Sequence, residues 1–251
     1  MMRQRDIGFA GSLSPWPPQK CFRTLRMSIF GITTMLGGSN MYVAICEMTR
    51  KAMIVDFSDP NASRWGRALQ QLRANVDIIV QTHGQDTQAI GLSALKSLSF
   101  FPSNLQIFAH PLETSLSKED VDEPLMDGVI LNVGNLRFKC LHLPGPSPGH
   151  CAFYEAQEGI AFTGDILSRG GRMTRAVSDS NAHRVSLSRL VREIPETTLL
   201  FPGHYGFTTM GAERRMNPNL MGVTGPPLLV PRDLSESIDT ERKRKIKRWI
   251  M

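Results

Sequence analysis

Phe201-Pro-Gly-His204-Tyr-Gly-Phe-Thr208-Thr209-Met-Gly211-Ala-Glu213-Arg214-Arg215-Met-Asn217-Pro218 follows directly on the apolar run Thr198–Phe201. A short buried strand that breaks at Pro-Gly and places a histidine at its exit is the local form of a site-bearing loop. Three other stretches have the same make-up. They are Thr82-His83-Gly84-Gln85-Asp86-Thr87-Gln88, Pro144-Gly145-Pro146-Ser147-Pro148-Gly149-His150 and Thr163-Gly164-Asp165. Each joins polar residues to a glycine at the end of an apolar segment.

Between these loops the chain alternates strand-like and helix-like runs. Met41–Cys46 and Ala52–Phe57 read as a hairpin, and Asp59-Pro60-Asn61-Ala62-Ser63 punctuates the chain and offers N-cap oxygens to a helix through Trp65, Leu69 and Leu72. Asp77–Thr82, Gln106–His110, Asn135–Leu143, His150–Glu155 and Ile160–Thr163 are further strands, and Lys118–Asp127 is an acidic surface loop. Helical spacing recurs at Leu92, Leu95 and Leu98 and at Leu187, Leu190, Val191 and Ile194. Strand pairs followed by helices, repeated in each half, imply an α+β fold with two sheets face to face and helices outside.

The quoted segments resemble the metallo-β-lactamase-fold hydrolases, specifically the glyoxalase-II-like (hydroxyacylglutathione hydrolase-like) branch. The stretch 201–218 is similar to that branch's PGHG-x-x-TT-x-G-x-E-x-x-x-NP signature, and Ala161-Phe-Thr-Gly-Asp165-Ile-Leu to its F-x-GD-x-L strand end. Gly37–Tyr42 and Ile54-Val-Asp56 are similar to its opening hairpin, and Arg172 falls near its GR pair. The resemblance runs from about Phe30 to Leu220 and implies a four-layer αββα sandwich.

It also implies a pair of metal ions, and here the sequence departs from the family. The family's first loop reads T-H-x-H-x-D-H. Thr82 and His83 match, whereas Gln85, Thr87 and Gln88 stand at the second His, the Asp and the third His. Pro146 replaces the ligand His of the next loop, while Asp165 matches the bridging carboxylate and His204 the last His. Three of seven positions survive, two for each metal, where a catalytic zinc ordinarily takes three protein ligands. Proline offers no donor, and amide or hydroxyl oxygens suit a borderline-soft ion poorly. Asp86 is one residue out of register. The expectation is a vestigial polar cluster of His83, Asp165 and His204 with no resident metal and no catalytic residue, a single weakly bound zinc being the alternative. His142 reads as a packed histidine, and His110 and His183 as surface or loop residues. No Gly-x-Ser-x-Gly elbow supplies another nucleophile.

The 251 residues carry Lys+Arg 29 against Asp+Glu 23, a formal charge of +6, with 41% hydrophobic residues and twelve Phe, which excludes a disordered chain. No apolar run reaches the roughly 18 residues of a membrane span. The charge is uneven. Residues 1–27 hold Arg3, Arg5, Lys20, Arg23 and Arg26 against Asp6, and residues 241–251 hold Arg242, Lys243, Arg244, Lys245, Lys247 and Arg248 against Glu241. The body between them is therefore net acidic, and a broad nucleic-acid-binding face is not indicated. Cys21, Cys46, Cys140 and Cys151 form no CxxC pair and suit a reducing compartment.

These features divide the chain into an N-terminal extension at 1–27 with the composition of a mitochondrial transit segment, a domain at 28–222, and an extended connector with a basic tail at 223–251. In the tail, Trp249 is interleaved with the six basic residues from Arg242 to Arg248, which suits contact with RNA or an acidic protein. The functional expectation is a catalytically inactive member of the fold that acts as a structural or binding subunit of a mitochondrial assembly, such as the mitochondrial ribosome or another ribonucleoprotein. A metal-dependent thioester hydrolase with a reduced metal site is the alternative, and a small-molecule sensor using the emptied cleft is a third.

Overall fold

The computed structural model describes residues 18–34, 38–96, 98, 102, 104–113, 115–116, 121–172 and 177–223. The basic tail, Arg242 through Trp249, and the first seventeen residues lie outside them. Thirteen strands and four α-helices follow in the order β1 (Gln19–Arg23), β2 (Met27–Thr33), β3 (Asn40–Cys46), β4 (Lys51–Val55), α1 (Trp65–Leu72), β5 (Asn75–Val80), α2 (Asp86–Lys96), β6 (Gln106–Ala109) and β7 (Glu123–Pro124), then β8 (Ile130–Val133), β9 (Leu136–His142), β10 (Cys151–Glu155), β11 (Ile160–Gly164), α3 (Ser180–Glu193), β12 (Leu199–Pro202), β13 (Thr208–Thr209) and α4 (Met210–Met216). Strands β1 to β7 make one sheet in sequence order, and the second runs β13-β12-β11-β10-β9-β8.

The alternation of side chains along each strand sets the layers. On β3, Tyr42, Ala44 and Cys46 face the other sheet, where Phe138, Phe153, Phe162 and Phe201 meet them. Met41, Val43 and Ile45 face outward and are covered by Trp65 and Leu69 of α1 and Leu92 and Leu95 of α2. On the far side, Leu187, Leu190 and Val191 of α3 pack on Leu141, Ala152, Ala161 and Leu200. Three apolar clusters thus separate four layers, αββα. Parallel pairs β4–β5, β5–β6 and β11–β12 are the places where a helix carries the chain back across a sheet.

Several local features differ from the sequence-based expectation. Gln19–Arg23, placed in the N-terminal extension, is an edge strand whose Cys21 is buried against the core. The sheet therefore begins before residue 28. Flanking prolines and basic residues hid a strand whose inward side chains, Cys21 and the half-buried Phe22, are adjacent at a bulge and so show no period. The acidic stretch 118–127 contains the short strand β7, paired with β6. No side-chain oxygen caps α1. Asp59 instead accepts from the Trp65 indole at 2.8 Å and from Arg64, so it anchors the helix by its first side chains.

Gly91 shows how closely α2 lies on the sheet. A Cβ there would sit 2.8 Å from both Cα and C of Ser58, which are backbone atoms that cannot swing away. Gly91→Ala is expected to lower unfolding free energy by about 1–3 kcal/mol, as overpacking does. Denaturant titration checks it, and an unchanged midpoint would contradict the close packing.

Candidate functional site: a strand-end cleft with a rebuilt donor set

All four loops singled out in the sequence meet at one edge of the sandwich. Their positions follow from the topology, since β5, β9, β11 and β12 all end there. The last loop is tied to the opening hairpin. Asn40 Nδ2 donates to the carbonyls of Pro202 at 3.0 Å and Tyr205 at 2.7 Å, and the Tyr42 hydroxyl donates to Pro202 at 2.7 Å. Tyr205 is held at φ 64, a left-handed conformation that these bonds enforce. The 144–150 loop lies so close to the start of α3 that a Cβ at Gly145, which sits at φ 143, would strike the backbone of His183.

The residues of the diagnostic signature hold this edge together. Glu213, buried at 2% exposure, accepts from Thr208 Oγ1 at 2.6 Å, Asn217 Nδ2 at 2.7 Å and Gly170 N at 2.9 Å. Thr209 caps α4 by accepting from Ala212 N. Glu113 does the same for the other two loops. It accepts from Gly84 N at 2.6 Å, Gly149 N at 2.8 Å and the Ser147 hydroxyl at 2.5 Å. A lone glutamate in a loop gave no sequence signal of this role.

At the centre, His83, Asp165 and His204 do come together. Asp165 lies between the two imidazoles, with His83 Nε2 3.7 Å from Oδ2 and His204 Nε2 3.6 Å from Oδ1. These separations are longer than hydrogen bonds. Hydrogen bonds from the imidazoles to the Asp165 carboxylate are therefore not what organises the cluster.

A polarised chain of hydrogen bonds does. Asp56, fully buried at the end of β4 with φ 59, accepts from Thr82 N at 2.7 Å and from the Thr82 hydroxyl at 2.9–3.0 Å. Having spent its one hydrogen there, the hydroxyl can only accept from His83 Nδ1, 2.8 Å away. The network thus assigns the proton of His83 to Nδ1 and leaves Nε2 with a lone pair. That lone pair takes the side-chain N–H of Gln85. Gln88 donates to Asp56 at 3.3 Å. Burial pushes Asp56 up to about 6, against the lowering pull of His83 and the Thr82 donors. By contrast, His204 Nδ1 lies 3.2 Å from the carbonyl of Gly38 and so carries its proton there, which turns the Nε2 lone pair toward Asp165.

The histidines outside the ligand positions have structural places. His150, wholly buried, accepts from Asp165 N at 3.0 Å, and burial holds its imidazole well below the usual range, hence neutral. His110 and His183, expected as surface or loop residues, are 7% and 8% exposed; His110 does lie in the loop after β6, whereas His183 is a buried residue of α3. His110 stacks on the half-buried ring of His142 at 4.0 Å. Asp86 is exposed on the first turn of α2, where a carboxylate suits the helix dipole, and Thr87 is half-buried beside it. Arg172 lies over the Tyr205 ring at 5.6 Å.

The residues present do not fit the metal pair of this fold family. The Nε2 atom of His83 that would bind a metal accepts a hydrogen bond from the residue that replaced a ligand. Gln88, at another ligand position, is turned to Asp56, and Pro146 has no donor. Among the described residues no group of three or more His, Cys, Asp or Glu side chains is arranged to hold an ion.

Asp56 gives a pH-dependent test of the chain. Its carboxyl has a folded-state value of about 6 against an ordinary 3.8, so ionising it costs stability as pH rises between those values. Relative to Asp56→Asn, the wild type is expected to lose about 3 kcal/mol of unfolding free energy from pH 3.5 to pH 7. A difference that does not vary with pH would contradict the buried carboxylate.

The family model described as the metallo-beta-lactamase superfamily matches residues 91–204. An uncharacterized protein of Mycobacterium bovis is 33% identical over 79% of this chain and all of its own length. The hydroxyacylglutathione hydrolase GloC of Haemophilus influenzae is 28% identical, covering 70% of this chain and 90% of that protein. Human persulfide dioxygenase ETHE1, mitochondrial, is 28% identical over 68% of this chain and 67% of its own. Among solved structures, a di-iron-bound form of TTHA1623 superposes with a TM-score of 0.61 at 27% identity, covering 75% of this chain and 98% of that one. A family model spanning three of the four loops that meet at the cleft, with a hydroxyacylglutathione hydrolase matched over 90% of its length, makes this chain a member of the metallo-β-lactamase superfamily.

Proposed function

We propose that this protein is a catalytically inactive member of its superfamily, serving as a structural or binding subunit of a mitochondrial assembly. The observation that carries the inactive half is the Gln85–His83 hydrogen bond. A residue at a ligand position has become a donor to a neighbouring ligand, so the two side chains satisfy each other. Pro146 removes a further ligand, and among the described residues no alternative nucleophile with an adjoining base stands in the cleft. A metal pair supplies this fold's hydrolases with an activated water and a polarised carbonyl, and both depend on a complete ligand set. The loops are nonetheless fully braced by Glu113 and Glu213, which favours a retained shape over a retained reaction.

The assembly half is supported by charge. The basic residues Arg242, Lys243, Arg244, Lys245, Lys247 and Arg248, with Trp249, follow a net acidic body, an arrangement suited to contact with RNA phosphates and bases or an acidic protein. A ribonucleoprotein such as the mitochondrial ribosome fits such an anchor. The mitochondrial relative ETHE1 points to the same compartment as the transit-like composition at 1–27, of which Gln19–Arg23 belongs to the sheet.

One observation favours the second reading, a thioester hydrolase with a reduced site. Asp165 Oδ1 is buried without a hydrogen-bond partner among the described residues, and the His204 Nε2 lone pair faces it. Two measurements separate the readings. With zinc, manganese or iron supplied, the purified protein is expected to hydrolyse hydroxyacylglutathione no faster than buffer. Native protein in organelle lysate is expected to sediment with a large assembly and to shift after RNase treatment. Turnover abolished by His204→Ala would overturn the inactive reading, and migration as a free monomer untouched by RNase would overturn the subunit reading.

A further inference from the structure

At the pole opposite the strand-end cleft, the two hairpin turns of the opening strands lie side by side. Met27 pairs with Cys46, and Glu47 N donates to the carbonyl of Arg26 at 2.8 Å, which joins the β1–β2 turn to the β3–β4 turn. The first turn is Thr24-Leu25-Arg26-Met27, closed by Thr24 N on the Met27 carbonyl at 2.7 Å. The second ends at Arg50, whose N–H donates to the Cys46 carbonyl at 2.8 Å and whose φ is 60. Tight turns of this kind ordinarily carry Gly, Asn or Asp. Here the tips are Leu25, 94% exposed, and Met48, 70% exposed, and the left-handed position is an arginine. At such exposure neither apolar side chain contributes to the core.

Cations flank both tips. Arg23 and Arg26 stand on either side of Leu25, so two basic residues assigned by sequence to an N-terminal extension belong to this folded surface. Arg50 and Lys51 follow Met48, and Arg73 adjoins them, since its carbonyl accepts from Arg50 Nε at 3.0 Å. Three carboxylates lie among the cations, each set deeper. Glu47 meets Arg50 at 2.7 Å and Arg23 at 3.6 Å, Glu158 meets Arg26 at 3.6 Å, and Asp77 accepts from Lys51. Asp77 is the extra residue of a β-bulge, since Ala52 pairs with Val76 and Met53 with Ile78. The three carboxylate side chains are 7–19% exposed, whereas Arg23 is 59% and Lys51 52% exposed. The outermost charge at this pole is therefore positive, with two apolar tips projecting through it.

We propose that this pole docks on an anionic phospholipid surface, with Leu25 and Met48 entering the acyl boundary and Arg23, Arg26, Lys51 and Arg73 meeting the phosphates. RNA would match the cations and leave both apolar tips in water. A bilayer boundary satisfies the two sets at once, and apolar insertion adds to attraction by anionic headgroups. The strand-end cleft then faces away from the lipid. The inference goes beyond the proposed function, and its failure leaves the inactive-site reading untouched.

The test sediments the full chain with vesicles of phosphatidylcholine, alone or mixed with phosphatidylglycerol. A basic tail also adsorbs to anionic lipid, so binding is measured again in a background of Arg242→Gln, Lys243→Gln, Arg244→Gln, Lys245→Gln, Lys247→Gln and Arg248→Gln. In that background, binding to the mixed vesicles is expected to persist and to exceed binding to phosphatidylcholine alone. Leu25→Ser with Met48→Ser is expected to weaken it about tenfold or more, with the melting temperature unchanged because both side chains are exposed. Leu25→Trp is expected to add indole fluorescence that brominated acyl chains quench, which reads insertion independently of the serine variant's folding. Binding that disappears with the tail substitutions, that ignores the serine changes, or that is equal on neutral vesicles would overturn the proposal. So would an added indole that brominated lipid leaves unquenched, or no vesicle binding at all, which would leave the two tips to a protein partner.

Discussion

A buried carboxylate, Asp56, fixes the polarity of the whole strand-end cleft. Held at a left-handed backbone angle beneath the first loop, it takes the hydrogens of Thr82 N and Oγ1. That choice fixes the tautomer of His83, and the tautomer decides what its Nε2 can do. In a complete metal site such a lone pair would face an ion. Here it meets an amide donor from Gln85, so one substitution both deletes a ligand and occupies its neighbour.

The residues that define the family and the residues that would perform its chemistry are separate sets in this chain. Thr208, Glu213 and Asn217 form a hydrogen-bonded brace around α4, and their loss would leave buried polar groups unpaired. Gln85, Thr87, Gln88 and Pro146 brace nothing of comparable extent. On the proposed inactive reading, the chain keeps the signature for structural reasons while its ligand positions have changed. This accounts for a fold that is easily recognised beside a donor set that is not.

Much of the fold was legible in the sequence because inward and outward apolar residues alternate cleanly on β3, β9 and β10, and because polar Gly-hinged loops mark four strand ends. The surviving and substituted ligand positions were equally legible, and the structure does bring His83, Asp165 and His204 together. What escaped was of two kinds. β1 turns two adjacent side chains, Cys21 and Phe22, inward at a bulge, so no period shows. The roles of Asp56, Glu113, His110 and His183 depend on partners 26 to 38 residues away, and an isolated polar residue gives no sign of burial. Likewise, the bulge at Asp77 exists only in the pairing of two strands.

On the proposed reading, the donor set of the cleft does not retain this fold's metal ions. The decisive measurement is elemental analysis of the full chain, purified without chelator, incubated with zinc, manganese or iron and then desalted. Metal far below one ion per chain, unchanged in His204→Ala, is expected. An ion held at one or more per chain in the wild type and lost in His204→Ala would contradict it.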